Sequence, residues 1–244
     1  IRDRSYTSYI THGITARICI NKNIKVYCIS SGVFIIQEIT KDFPYHTLNH
    51  TQFSQTKFLS NEKISLAREQ LEFRFKGGID NATSYMKNST YFISKNINTL
   101  KNLFIINSYN IVIYAHDFYD SPHINRSLQF NDLYKFLEET LFFLNTLKDT
   151  SIFIKIHPNG LSGADNITKQ LVQSFNNTNF HILDTTISNL DIIKLKPNLI
   201  ATARGTVGIE MAYFGIPVVA LYDNLYINFN FVHSCYTKQE YFKV

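Results

Sequence analysis

Histidine and aspartate side chains follow two apolar stretches of the sequence, and their positions favour chemistry on a phosphate group. His116 and Asp117 end the first stretch, and His157 ends the second, where the sequence reads IKIHPNG. Pro158 holds the residue before it in extended geometry and has no N–H to donate. The imidazole of His157 is therefore expected to point outward at the sheet edge, where it can donate to a phosphate oxygen or protonate it as it leaves.

A third group of residues, ARGTVGIE, joins an apolar strand to the start of a helix and contains Arg204. Backbone N–H groups at the helix start, the Thr206 hydroxyl and the positive end of the helix dipole would together bind an anion. Gly205 and Gly208 would let a ligand approach the backbone closely. Glu210 lies one helical turn inside, where it would repel phosphate but could accept hydrogen bonds from ribose hydroxyls. Neither GxGxxG nor GxxxxGK[ST] is present, so this is not a dinucleotide fingerprint or a phosphate loop.

The segment YAHDFYDSPH permits a second interpretation. His116, Asp117, Asp120 and His123 have spacings that could bind a metal ion. Loops of this kind more often fold on themselves through Asx turns, so we predict no metal site. In that case Asp117 or Asp120 could serve as a general base, and His116 could contact phosphate.

Strands and helices alternate from residue 111 onward, which predicts a parallel sheet of the α/β class. In such sheets ligands bind beyond the carboxyl ends of the strands, where the polar residues above lie. The predicted strands are Ile111–Ala115, Ile152–Ile156, Phe180–Leu183, Leu199–Thr202 and Pro217–Leu221. The predicted helices are Asp132–Leu147, Thr168–Phe175, Ile187–Lys194 and Val207–Phe214.

The first hundred residues have a weaker pattern. Helices are predicted at Tyr6–Asn21 and Glu62–Phe75, with a strand at Ile24–Ile29 between them. Residues 81–102 are polar with little periodicity, so we predict two domains, 1–100 and 101–244. The chain opens on Ile1 in mid-pattern, and we expect its N-terminal domain to be truncated. Solvated helix faces are expected to account for most of the arginines there, which are Arg4, Arg17, Arg68 and Arg74.

Composition excludes several functional classes. The net charge is +5, but the basic residues are scattered, which favours an anionic small ligand over nucleic acid. Cys19, Cys28 and Cys235 are odd in number and lack CxxC spacing, so free thiols are predicted. His233 and Cys235 are interpreted as a loop pair with no third orienting group, which argues against a cysteine nucleophile. No signal peptide is visible, and the most apolar stretch, Leu199–Tyr222, is too interrupted to span a bilayer.

Taken together, four segments resemble the C-terminal half of bacterial capsule and surface-polysaccharide glycosyltransferases, over about Asn110–Val244. These segments are HDFYDSPH, NRSLQFNDLYKFLEETLFFLNTL, IKIHPNG and ARGTVGIEMAYFGIPVVAL. The chain is similar more widely to bacterial sialyltransferases, capsule Kdo transferases and teichoic-acid glycerophosphotransferases. The resemblance implies a GT-B-like fold, in which two Rossmann-like domains face a cleft.

The resemblance also implies a function and roles for individual residues. The chain would transfer a sugar from a nucleotide-activated donor to a growing polysaccharide or lipid-linked glycan, without a cofactor. His157 would contact the donor phosphate, Gly205 and Thr206 would hold it, and Glu210 would accept from the ribose. The predicted catalytic residues are Asp117 and His157, and the predicted donor-binding residues are His116, His157, Arg204, Gly205, Thr206 and Glu210.

Three alternatives remain open at this stage. The same cleft could transfer a polyol phosphate from a CDP-polyol, or it could epimerise a UDP-sugar without transferring it. The chain could also be a truncated domain that binds nucleotide or glycan and catalyses nothing. Capsule synthesis implies work in the cytoplasm, at the inner face of the plasma membrane, and the positive charge is compatible with peripheral contact there.

Overall fold

Among the residues that the structure describes, the N-terminal part of the chain contains two helices and a small antiparallel sheet. The computed structural model describes residue 7 and residues 10–29, 36–43, 60–79, 89–92, 97–119, 129–222, 224, 226–227 and 229–244. Its first elements are α1 (Ile10–Asn21), β1 (Val26–Ile29), β2 (Ile36–Ile39) and α2 (Asn61–Phe75). β1 and β2 pair in antiparallel register, with Val26 opposite Ile39.

A six-stranded parallel sheet organises the remainder. Its strands are β3 (Tyr109–Tyr114), β4 (Thr150–Lys155), β5 (Phe180–Leu183), β6 (Leu199–Thr202), β7 (Val218–Leu221) and β8 (His233–Cys235). The accompanying helices are α3 (Ile97–Phe104), α4 (Leu133–Leu144), α5 (Ala164–Ser174), α6 (Asn189–Leu195), α7 (Val207–Tyr213) and α8 (Lys238–Tyr241). The strands lie in the order β5-β4-β3-β6-β7-β8, all parallel. This is the doubly wound order, in which the direction of progression reverses between the first and fourth strands of the sheet.

Local sequence explains where several helices begin and end. Asp132 caps α4 by accepting the backbone N–H of Lys135 at 2.7 Å, and Ser188 caps α6 in the same manner. α8 begins at a capping box formed by Thr237 and Glu240. α2 ends where Gly77 adopts a φ of +90°, a conformation that costs glycine little.

The two faces of the sheet bury separate apolar clusters, because successive strand residues point to opposite sides. Ile113, Ile154 and Ala201 are partners in neighbouring strands and face α4 and α8. Val112 and Phe153 face the other side, where they pack with α3, α6 and α7. Beneath the first cluster, at the amino end of the strands, lies an apolar cavity of about 230 Å³ lined by residues such as Ile111, Leu144 and Leu199.

The predicted α/β class and the alternating order of elements are confirmed. Strands Phe180–Leu183 and Leu199–Thr202 have the predicted bounds, and the other elements of the sheet agree within a few residues at each end. Two regions differ from expectation. His233–Cys235 was predicted to be a loop and is the edge strand β8, and α3 lies in a segment that showed little periodicity.

Helix α3 bears on the division of the chain at residue 100, because it spans that position. Its Leu100 and Phe104 are buried in the cluster shared with α6 and α7, so the helix packs with the C-terminal sheet. Within the described part of the chain, no helix has the length and apolar character needed to cross a bilayer.

Candidate functional site

The candidate site lies at the carboxyl end of the sheet, where the order of strands reverses. β3 and β6 are neighbours, and their connections leave to opposite sides of the sheet. In doubly wound sheets such a divergence marks the crevice in which ligands bind. The chain enters the crevice as His116-Asp117 after β3 and as Arg204-Gly205-Thr206 after β6. Sequence-predicted site residues from two separate segments are therefore brought together.

His116 is bonded to the turn that follows β6. Its Nε2 lies 3.1 Å from the Thr202 hydroxyl and accepts the backbone N–H of Arg204 at 3.3 Å. The Thr202 hydroxyl in turn accepts the backbone N–H of Gly205 at 3.2 Å. Because Nε2 is an acceptor, the ring proton belongs on Nδ1. His116 thus holds the shape of the Arg204–Thr206 turn from the neighbouring strand.

The electrostatics of the crevice keep His116 neutral. The two histidines follow the neighbouring strands β3 and β4, and Asp117 joins their loops by accepting the backbone N–H of Leu161. Burial, followed by electrostatic interactions with His157 and Arg204, lowers the pKa of His116 to about 3. At neutral pH His116 is therefore a hydrogen-bonding group and carries no positive charge.

His157 has a different environment. It is half-buried, and its Nδ1 accepts the backbone N–H of Asn159 at 3.3 Å. The proton of the neutral ring therefore belongs on Nε2, which makes that nitrogen a hydrogen-bond donor. Pro158 follows it and is exposed, and Gly160 completes the turn through its N–H to the His157 carbonyl.

Asp117 joins the loops that follow β3 and β4. Its Oδ1 accepts the backbone N–H of Tyr119 at 3.1 Å, which is an Asx turn, and its Oδ2 accepts the N–H of Leu161 at 2.9 Å. Both carboxylate oxygens are thus used to fix the loops on which His116 and His157 lie. Asp120 and His123, the other residues of the alternative metal site, lie outside the described residues, and among those that are described no metal-binding cluster occurs.

The Arg204–Thr206 turn presents an exposed threonine beside half-buried Arg204 and Gly205. A Cβ on Gly205 would lie 3.1 Å from the Thr202 hydroxyl, so the turn is packed closely against the strand end. Gly208 was expected to let a ligand approach the backbone closely, but the structure shows a different reason for this glycine. A Cβ there would overlap the Tyr226 ring, whose hydroxyl donates to the Gly205 carbonyl at 3.1 Å. The absence of a side chain at Gly208 therefore leaves space for the Tyr226 ring, which holds the turn through its hydrogen bond to Gly205.

Glu210 is 2% exposed and is bonded to the N-terminal part of the chain. The Tyr91 hydroxyl donates to its Oε2 at 2.5 Å, and Nη2 of Arg74 lies 2.5 Å from its Oε1. The arginine contact is an ion pair between two side chains that are 16% and 3% exposed, and Coulomb attraction is stronger where water is largely excluded.

Further polar side chains, half-buried Tyr114 and buried Lys155, lie on the same face of the sheet as Glu210. Tyr114 ends β3, and its hydroxyl donates to Asn189 at the start of α6 at 3.0 Å. Its partner in β4 is Lys155, which is 3% exposed and donates to the Asp184 carbonyl at 2.8 Å. Burial lowers the pKa of Lys155 to about 8, although the charge of Asp184 opposes this shift.

Sequence reasoning did not single out several of these residues. Arg74 was one of four arginines of which most were expected to lie on solvated helix faces, and Tyr91 lay in a segment with little periodicity. No local pattern could identify them, because their partner Glu210 is more than a hundred residues away. Lys155 offered a usable signal, since a lysine inside an apolar strand requires a buried partner.

Comparison with known proteins shows the fold of this chain. Neither a protein-family profile nor a curated protein sequence matches it. Among solved structures, the chain is similar to Thermosulfurimonas dismutans KpsC, beta Kdo 2,4 transferase, with a TM-score of 0.57 and 12% identity over 94% of this chain and 71% of that one. It is also similar to KpsC, beta Kdo 2,7 transferase, from the same organism, with a TM-score of 0.50 and 16% identity over 92% and 67%.

A third solved structure, Methanocaldococcus jannaschii UDP-GlcNAc 2-epimerase in complex with UDP-GlcNAc and UDP, has a TM-score of 0.44 and 16% identity over 93% of this chain and 63% of that one. At such low identities the likeness to the two transferases concerns the fold alone. The GT-B-like fold class predicted from the sequence is thereby confirmed. The division at residue 100 and the roles of single residues stay predictions.

Proposed function

We propose that this chain is a nucleotide-sugar-dependent glycosyltransferase that extends a capsular or surface polysaccharide. The observation that carries the proposal is the convergence of His116, His157 and the Arg204–Thr206 turn at the point where the strand order reverses. The likeness to two Kdo transferases supports the same reaction class. The donor's phosphate would bind between His157 and the turn, with the acceptor approaching from the far side of the cleft.

Each residue has a role consistent with its contacts. The Nε2–H of His157 and the Arg204 guanidinium would donate to the phosphate, with the Gly205–Thr206 backbone and hydroxyl beside them. As the acceptor oxygen bonds to the anomeric carbon, the bond from that carbon to the phosphate oxygen breaks and the electron pair stays on the phosphate. These donors would stabilise the negative charge that develops there.

Two other predicted residues are better suited to holding the site than to contacting the reacting atoms. His116 is neutral and shapes the turn, and Asp117 fixes the loops after β3 and β4. A base must still take the proton of the acceptor hydroxyl. Asp117 in that role stays a prediction. Its carboxylate would have to give up a hydrogen bond from a backbone N–H in order to accept the proton of the acceptor hydroxyl. We also propose that the chain needs no cofactor for this transfer and that it acts at the cytoplasmic face of the membrane.

The first experiment is to titrate the chain with CMP, UDP, GDP and CDP by calorimetry, in the wild type and in His157→Ala. One nucleotide should bind, and the loss of one phosphate contact should weaken it by about tenfold or more. His233→Ala is the matched control, because His233 is an exposed histidine on the edge strand β8. It should bind as the wild type does.

The corresponding nucleotide-sugar then tests the reaction. Free nucleotide released only in the presence of a glycan acceptor supports transfer. An isomerised nucleotide-sugar without such release would point to epimerisation, and a transferred polyol phosphate would point to a phosphotransferase. Failure of all four nucleotides to bind would refute the proposed site and favour a domain without catalytic function.

A further inference from the structure

The contact between Arg74 and Glu210 addresses a difficulty with an anion at the Arg204–Thr206 turn. Glu210 lies on α7 four residues beyond Thr206, which is a rise of about 6 Å along the helix axis between the two backbone positions. An uncompensated carboxylate one helical turn from the site opposes a phosphate, and more strongly where water is excluded. The site therefore needs a cation beside Glu210.

Arg74 supplies that cation from outside the sheet. Its Nη2 lies 2.5 Å from Glu210 Oε1, and the two side chains are only 16% and 3% exposed. The aromatic ring of Phe75 follows it on α2 and packs against Tyr91 at 5.1 Å and against Phe214, just beyond α7, at 4.7 Å. The end of α2 is thus attached to α7 by ring packing as well as by charge.

Tyr91 completes the arrangement from a second segment. Its hydroxyl donates to Glu210 Oε2, while Thr90 beside it accepts the backbone N–H of Asn189 at 3.0 Å. The carboxylate is therefore held from both sides in a single orientation. Its electrostatic effect reaches the turn: after burial, the charge of Glu210 helps to raise the pKa of Tyr226, which bonds to Gly205, although Arg204 opposes this shift.

We propose that Arg74 is a positioning residue of the donor site, which cancels the charge of Glu210 so that the Arg204–Thr206 turn can accept a phosphorylated ligand. The inference rests on the proposed nucleotide site and adds a residue from the N-terminal part of the chain to it. It also gives Glu210 a different role from direct contact with ribose, because both of its oxygens already face partners.

The test compares ligands that differ only in charge. Binding of cytidine, CMP and CDP, and of the uridine series, is measured in the wild type, Arg74→Met, Arg74→Lys and Arg74→Met/Glu210→Gln. For Arg74→Met we expect a loss of about tenfold for each phosphate charge and little change for the nucleoside. Arg74→Lys keeps the cation and should retain most of the affinity. The double variant removes both charges and should restore diphosphate binding. Arg68→Met, an exposed arginine on the same helix, is the matched control.

The outcomes separate this inference from the proposed function. If the wild type binds no nucleotide, the proposed site itself is wrong. If the wild type binds but Arg74→Met weakens nucleoside and diphosphate equally, or the double variant restores nothing, Arg74 is a structural residue and our inference is wrong. If Arg74→Met does not fold, the binding of the same ligands to Glu210→Gln tests the inference instead. This variant should bind diphosphate several-fold more tightly with the nucleoside unchanged, and a loss of diphosphate affinity would contradict us.

Discussion

The two ends of the same parallel sheet have opposite chemistry. At the carboxyl end, β3, β4 and β6 finish in half-buried Tyr114 and in buried Lys155 and Thr202, three polar side chains with specific hydrogen-bond partners. At the amino end, β3 and β6 begin around an apolar cavity lined by Ile111 and Leu199. The six residues of β3 extend from one environment to the other.

This difference agrees with the proposed position of the site at the carboxyl end. Buried polar groups cost free energy unless they are fully bonded, so a fold without a site has no reason to collect them at one edge. The apolar side chains at the amino end could be replaced by other apolar side chains of similar volume, and we expect such changes to affect stability alone. Substitutions at the two ends should therefore separate stability from ligand binding.

The largest expected effect on stability lies at the amino end. Leu144 is buried in α4 and lines the apolar cavity, so Leu144→Ala enlarges that cavity. The free energy of unfolding should fall by about 2–5 kcal/mol, measured by urea denaturation. The nucleotide affinity of the folded variant should not change. His157→Ala should have the opposite effect: its nucleotide affinity should fall, and its free energy of unfolding should stay close to that of the wild type. Reduced affinity in folded Leu144→Ala would show that the two ends are coupled.

The next effect depends on pH and belongs to the carboxyl end. The pKa of Lys155 falls from 10.5 to about 8 on folding, so between these values the unfolded chain binds more protons. The free energy of unfolding should therefore rise with pH across this window, by up to about 3 kcal/mol in total. The measurement is the difference between wild type and Lys155→Met from pH 7 to 10.5. Lys148→Met, on the exposed loop before β4, controls for loss of a lysine. A difference that stays flat would mean that Lys155 is not held in a desolvated position.

The sequence predicted the sheet because its signals are local. Alternating apolar strands, caps such as Asp132 and the turn glycines lie within a few residues of the elements they define. It also placed His116 and Arg204 at strand ends, and parallel topology alone then brings their loops to one edge. Strand β8 (His233–Cys235) was not predicted, because three residues are too few to show the alternation of a strand.

The residues that surround Glu210 could not be predicted for a physical reason. Arg74 occupies a helix on which no residue is fully buried, and nothing nearby in the sequence distinguishes it from Arg68. Its partner is 136 positions away in the chain, and only the packing of α2 against α7 makes the contact. Long-range ion pairs of this kind leave no signature in a single sequence.

The smallest expected effect comes from a matched pair of buried threonines. Thr202 bonds to His116 and Gly205 at the carboxyl end, and the Thr140 hydroxyl contacts the Phe136 carbonyl and Tyr241 at the cavity. Replacing either by valine keeps the shape but removes the hydroxyl, at a cost of about 1–2 kcal/mol in the free energy of unfolding.

Only one of these two variants should also change binding. Thr202→Val releases the Gly205 N–H and the histidine that shapes the turn, so nucleotide affinity should fall by about tenfold. Thr140→Val should bind as the wild type does. The check is calorimetric titration of both variants at a temperature where each is fully folded. If they bind alike, the hydrogen bonds from Thr202 do not shape the turn for a ligand, and the polar residues at the carboxyl end must be explained by stability alone.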